Sequence, residues 1–126
     1  MSKIYAIGET VYDIIFKDDV PVAAKAGGSM LNTTVSLGRL GMPVHMITEY
    51  GFDPPGDYIH DFLKKNNVDT SFTCRYHDGK TAAALAYLNK QNDARYSFYK
   101  IYPEERLRIN PPAFLPGDIF LFGAFY

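Results

Sequence analysis

Two adjacent glycines, Gly27 and Gly28, stand between a long extended stretch and an amphipathic one, and this junction constrains the fold more than any other feature of the chain. A glycine pair permits a sharp change of direction and a close approach of a second backbone or a ligand. Downstream, Met30 to Leu40 carries a helical stripe of Leu31, Val35, Leu37 and Leu40, and Gly41 followed by Pro43 supplies the stop. The start of such a helix offers N–H groups with no intrahelical partner, which suit the oxygens of a polar ligand. A plain structural turn is the other reading of a Gly-Gly before a helix. The stretch is not a P-loop, because the Gly-Lys-Ser/Thr ending that grips phosphates is missing.

The segments around this junction alternate between strand and helix patterns. Lys3 to Ile7, closed by Gly8, reads as a buried strand, and Val11 to Ala26 as extended structure with a turn at Asp18-Asp19. Val44 to Thr48 is a second strand. Gly51-Phe52-Asp53-Pro54-Pro55-Gly56 is rich in breakers and reads as a loop, followed by a helix over Asp57 to Asn66 with Ile59, Phe62 and Leu63 on one face. Thr81 to Lys100 predicts a β-hairpin around Lys90-Gln91-Asn92-Asp93. Asp118 to Tyr126 is almost wholly apolar, as a strand buried on both faces is. Such a strand needs helices to cover it, so the expectation is that residues 1–126 form the N-terminal part of a larger α/β domain.

Composition narrows the function classes. With 47% hydrophobic and 21% charged residues, 126 residues suffice for one packed core. Thirteen basic and 14 acidic residues leave a formal net charge of -1 without a run of like charge, which argues against a nucleic-acid partner. No apolar run approaches membrane-spanning length and the N-terminus is too short in apolar residues for a signal peptide, so a cytoplasmic location is expected. The single cysteine, Cys74, has no internal partner and reads as a spectator thiol. His45, His60 and His77 are scattered without metal-ligand spacing, and Glu104-Glu105-Arg106 reads as a solvated turn or helix start.

The Gly27-Gly28 junction continues into Asn32, Thr34, Gly41 and Gly51, and together these resemble the first signature of the ribokinase-like (PfkB-type) carbohydrate kinases. That pattern has a glycine pair, an asparagine, a small residue, a glycine closing the helix and another after the next strand. Met30 departs from it, standing where a small residue or proline is usual. Gly8-Glu9, Asp13, Asn67-Val68-Asp69-Thr70 and the hairpin extend the likeness over the whole chain, closest in appearance to fructokinases and 2-keto-3-deoxygluconate kinases. The resemblance implies a central, mostly parallel sheet flanked by helices, with a small β lid built from about residues 11–26 and 81–100.

It also implies roles, position by position. Asp13 would accept hydrogen bonds from sugar hydroxyls, Gly27 and Gly28 would bring backbone N–H groups to the sugar, and Asn32 would pair with a further hydroxyl. On residues alone, Asp13 reads first as a solvated turn carboxylate, a preference the resemblance reverses, and Asn32 can serve as a helix cap as well as a sugar ligand. Phe98 or Tyr99 would shield the sugar, and Lys100 stands where an arginine is commoner. Lysine lacks the fork that binds a carboxylate bidentately, which favours a neutral sugar. The implied reaction is transfer of the ATP γ-phosphate to a sugar hydroxyl, with fructose first and ribose, ketodeoxygluconate or a nucleoside as alternatives. ATP and magnesium would serve the full-length kinase and neither would be bound by these residues, since the Gly-Ala-Gly-Asp motif that carries the family's catalytic base does not occur. Without that base the chain alone is expected to be inactive. A homodimer through the lid is implied as well. A non-catalytic sugar-binding or dimerisation module is the alternative from another class. A dinucleotide-binding domain is not supported, because Gly8-Glu9-Thr10-Val11-Tyr12 lacks the glycine fingerprint.

Overall fold

A computed structural model describes residues 2–124. Eleven elements follow in chain order: β1 (Ile4–Ile7), β2 (Val11–Lys17), β3 (Val20–Gly27), α1 (Ser29–Arg39), β4 (Val44–Ile47), β5 (Glu49–Gly51), α2 (Pro54–Lys65), β6 (Cys74–Tyr76), β7 (Lys80–Leu88), β8 (Ala94–Ile101) and β9 (Ile119–Phe122). They form three sheets: a parallel β4-β1-β9 sheet, a mixed β3-β2-β7-β8 sheet, and the parallel pair β5-β6.

Strand alternation sends Ile4 and Ala6 of β1, with Val44 and Met46 of β4, to one face of the parallel sheet. There they pack with Leu31 and Val35 of α1 and Ile59 and Leu63 of α2 in a single buried cluster. Both helices therefore cover the same face. The opposite face carries an aromatic set in which Tyr5 stacks on His45 and meets Phe72 and Phe114 edge-on.

The four-stranded sheet is two hairpins laid side by side. Asp18 and Asp19 both take positive φ, 51° and 59°, at the tip of β2-β3, the conformation a two-residue primed turn needs and aspartate tolerates. At the tip of β7-β8 the Asn89 side chain accepts from the N–H groups of Gln91 and Asp93. A parallel β2-β7 pairing joins the hairpins, and Lys17 Nζ donates to Asn92 Oδ1 at 2.7 Å to tie their tips.

Two helix ends show local chemistry. Gly41, at φ 78°, closes α1 with Met42 N–H donating to Leu37 O and Gly41 N–H to Gly38 O, a Schellman arrangement. The expected loop over Gly51 to Gly56 is instead the end of β5 and the start of α2. Asp53 is the cap, its Oδ1 accepting from Gly56 N at 2.9 Å, and Pro54 and Pro55 occupy first-turn positions whose N–H groups lack intrahelical partners anyway. Asp53 also accepts from the Thr81 N–H at 2.9 Å and the Thr81 hydroxyl at 2.6 Å, pinning α2 to β7.

The expected strand over Asp118 to Tyr126 forms as β9, with Phe125 and Tyr126 outside the described residues. It is not buried on both faces: Ile119, Phe120 and Phe122 are 49%, 45% and 73% exposed. The strand is an edge with β1 as its neighbour, and Phe114 is the ring that packs against Phe120 from the uncovered face.

The Asp53 carboxyl is pushed up by burial, but the hydrogen bonds from Thr81 and Gly56 outweigh this and hold it below the ordinary aspartate value. A depressed folded pKa contributes stability above the unfolded value that is lost as pH falls through the folded one. Urea unfolding should therefore show the wild type losing stability at acid pH by more than Asp53→Asn does, and Asp53→Ala should cost about 2 kcal/mol at neutral pH.

Candidate functional site

The mixed sheet leans over the start of α1, and a cleft of about 680 Å³ opens between them. Its floor follows from cross-strand register. Lys25 of β3 pairs with Asp13 of β2, Asp13 with Ala84 of β7, and Ala84 with Phe98 of β8, so these four share one row. Ala84 and Ala86 are small, which leaves room for the Phe98 and Tyr96 rings. Those rings stack 5.9 Å apart on the β8 side.

At the α1 side the cleft is lined by Gly27, Gly28, Ser29 and Asn32. Gly28 is the cap residue, at φ 117° and ψ 137°, and contributes no side chain to cap the helix. The first intrahelical bond runs from Asn32 N–H to Gly28 O, so the N–H groups of Ser29 to Leu31 have no carbonyl within the helix to reach. No acidic side chain occupies the first turn, and the positive end of the helix is left for a ligand's oxygens. Asn32 is thus a first-turn residue on the cleft wall and not the cap.

Both glycines are required by space. A Cβ on Gly27 would stand 2.1 Å from Asp13 Oδ2, and one on Gly28 would stand 2.4 Å from Glu9 O. The first contact means that the Asp13 carboxylate rests directly on the glycine backbone. Among the described residues no donor reaches that carboxylate. Burial pushes its pKa up, and Lys25 across the strand pair opposes the rise. A desolvated carboxylate that lacks donors is an acceptor site for hydroxyl groups.

Asp13, Gly27, Gly28, Asn32 and Phe98 therefore meet in one cleft. Tyr99, by alternation, points to the other side of β8 and is 57% exposed. Met30, the departure from the signature, faces away from the cleft and lies against Gly8, where a Cβ would stand 2.7 Å from its own. Lys100 shares the strand face of Phe98, with Nζ 5.4 Å from that ring's centroid and 3.6 Å from Glu9 Oε2.

Sequence reading missed what lies behind Lys100. A second cavity of about 220 Å³ is bounded by Glu9 and Thr10 after β1, Thr48 and Glu49 after β4, and Tyr102, Arg106 and Leu107. Arg106 is not a solvated turn residue. Its guanidinium bonds to the buried carboxylate of Glu49, lies 3.7 Å from Glu9 Oε1 and sits 3.6 Å above the Tyr102 ring. The Tyr102 hydroxyl donates to Glu9 Oε1, and burial, reinforced by that carboxylate, pushes the phenol pKa up. Leu107, at φ 49°, is turned so that its N–H donates to Glu49 Oε2 at 2.7 Å. A glutamate two residues past the end of each of two parallel strands, Glu9 after β1 and Glu49 after β4, is the signal in the chain that pointed here. Strand ends at the carboxyl edge of a parallel sheet are where α/β proteins gather polar side chains.

With this geometry in view, comparison with known proteins is decisive at the family level. Residues 1–110 match the model of the pfkB family carbohydrate kinases. The chain belongs to that family. A fructokinase of Rhizobium leguminosarum bv. trifolii is 34% identical over 100 residues, 76% of this pfkB chain and 30% of the relative. An aminoimidazole riboside kinase of Salmonella typhimurium is 26% identical over 98% of the chain and 40% of its own length. The crystal structure of a fructokinase with bound ATP from Xylella fastidiosa superposes with a TM-score of 0.67 at 28% identity, over 79% of this chain and 33% of that one. The fold is ribokinase-like α/β, and the chain spans 30% to 40% of the length of these curated relatives.

Removing the guanidinium should leave Glu49 buried with only the Leu107 N–H as partner. Arg106→Ala should therefore lower the unfolding free energy by about 2 kcal/mol, and adding Glu49→Met should recover part of the loss in a double-mutant cycle.

Proposed function

We propose that this chain forms the sugar-binding side of an ATP-dependent carbohydrate kinase that phosphorylates a hydroxyl of a neutral sugar, fructose first. The observation that carries the reading is the convergence of Asp13, Gly27, Gly28, Asn32 and Phe98 on one cleft. Each supplies something a sugar needs. The carboxylate accepts from two hydroxyls, the helix start donates to sugar oxygens, the amide does both, and the Phe98 ring covers an apolar face of the ring. Fructokinases among the relatives support the substrate class, and the riboside kinase keeps a furanose nucleoside as the next candidate. In this reading the β3-β2-β7-β8 sheet acts as a lid, its exposed edge strands β3 and β8 serve a homodimer contact, and the protein works in the cytoplasm.

In this reading the described residues serve the sugar and not the nucleotide or magnesium. Asp13 is the carboxylate of the cleft and Lys25 faces it, and among the described residues no three His, Cys, Asp or Glu side chains group to hold a metal ion. ATP bound to a related fructokinase supports ATP as the phosphate donor, and in this reading the nucleotide, with its magnesium, is held by parts of the kinase outside these residues. Positioning a sugar without a base and a phosphate clamp leaves most of the barrier standing, so these residues alone should transfer no phosphate.

Calorimetry of this chain with fructose, ribose and a nucleoside tests the proposal. One of them should bind, and Asp13→Asn should weaken it by at least roughly tenfold through loss of charge-assisted hydrogen bonds. Because the Asp13 pKa is raised, affinity should fall on acidification at a higher pH than an ordinary aspartate would give. A folded protein that binds none of the three, or an Asp13→Asn variant that binds as well as the wild type, would contradict the reading.

A further inference from the structure

We propose that the cleft continues past the sugar into a second, apolar subsite that takes a flat ring joined to the sugar's anomeric carbon, so that ring-bearing glycosides bind more tightly than the bare sugar. The inference rests on the reading of the cleft as a sugar site. It comes from how far the floor runs on. The residues assigned to the sugar lie in the row Lys25-Asp13-Ala84-Phe98 or on the α1 side of it. Rows on one face of a strand pair follow at about 7 Å, two residues at a time. Away from the helix come Ala23-Ile15-Ala86-Tyr96 and then Lys17-Leu88-Ala94. Ile15, Ala86, Tyr96, Leu88 and Ala94 all line the cleft, which ends at Asn92 in the hairpin tip. A sugar seated at α1 therefore leaves two rows of floor uncovered. The volume agrees, because about 680 Å³ falls in the range of roughly 300–1,000 Å³ that holds drug-sized molecules.

The chemistry of these two rows suits a flat ring better than a second set of hydroxyls. Ile15, Leu88, Ala86 and Ala94 carry no polar side-chain atom, and the alanines leave space above the sheet. Tyr96 continues the surface of Phe98, the two ring planes inclined by only 18°, so a substituent can lie along Tyr96 as the sugar lies along Phe98. At the far end Lys17 Nζ donates to Asn92 Oδ1, so what the Asn92 side chain has for a ligand is its amide N–H, a donor for a heteroatom on the ring's edge.

The test is calorimetry of this chain with two matched pairs, methyl and benzyl fructofuranoside, and methyl riboside and inosine. Within each pair the sugar is the same and only the anomeric group grows into a ring. At least one ring-bearing member should bind tighter than its methyl partner by on the order of tenfold, the effect of laying one face of a ring on apolar side chains. The pair that shows the gain tells a hydrocarbon ring from a nitrogen heterocycle. Ala94→Phe, at an exposed position on edge strand β8 and two rows from Asp13, should fill the subsite and erase the gain while methyl glycoside affinity stays unchanged. Equal affinities within both pairs, or a gain that survives Ala94→Phe, would overturn the assignment. If Ala94→Phe does not fold, Leu88→Ser decides in its place: a reduced gain supports the subsite and an undiminished one sinks it. A wild type that binds none of these ligands, nor free fructose or ribose, contradicts the sugar-site reading itself, whereas sugar binding without any gain from the ring contradicts only the second subsite.

Discussion

Where the end of β1 passes under the start of α1, the carbonyl of Glu9 comes so close to Gly28 that a Cβ there would lie 2.4 Å away. The same glycine holds φ 117°, a conformation that side chains rarely adopt. Much of the molecule follows from this contact. It fixes the positive end of α1 against the carboxyl edge of the parallel sheet and delivers β3 back beside β2. That in turn lays Asp13 over Gly27. The side chain of the same Glu9 reaches Lys100 near the end of β8. Backbone and side chain of one residue therefore join the parallel sheet, the glycine turn and the mixed sheet.

The charges divide into two couples with different work. Asp13 and Lys25 are neighbours across the β2-β3 strand pair on the wall of the open cleft, and the aspartate has hydrogen-bonding capacity to spare. Glu9 and Glu49 lie deeper and are engaged by Lys100, Tyr102, Arg106 and the Leu107 N–H. Burying two carboxylates is costly unless each is paired and hydrogen-bonded, and here each is. The deeper couple holds the segment that leaves β8, so the Phe98 and Tyr96 rings stay over the cleft.

Much of this was legible in the chain because its signals are local. The short apolar run of β1 closed by Gly8, the stripe and Gly41 stop of α1, and the aspartate turn between β2 and β3 are set by neighbours in sequence, and each stands where the pattern placed it. Asp53 was misread because prolines, breakers inside a helix, are good openers of one, and its second role, the tie to Thr81 28 residues away, leaves no local signal. The apolar run at β9 describes what the side chains are and not what covers them, so it gave the strand without its exposure. Arg106 was misread for a related reason. Its neighbours Glu104 and Glu105 suggest solvent, whereas its partner, Glu49, is 57 residues away. The cleft residues became legible as a group through the family signature, since Asp13 alone is an ordinary turn aspartate.

The most direct measurement of the central claim is an amide ¹H–¹⁵N correlation titration of this chain with fructose. The account predicts that the largest shifts fall on Gly28, Ser29 and the β8 residues around Phe98, whose backbone borders the cleft. Shifts confined to Thr48, Glu49 and Leu107, around the deeper cavity, with Gly28 unmoved, would contradict it.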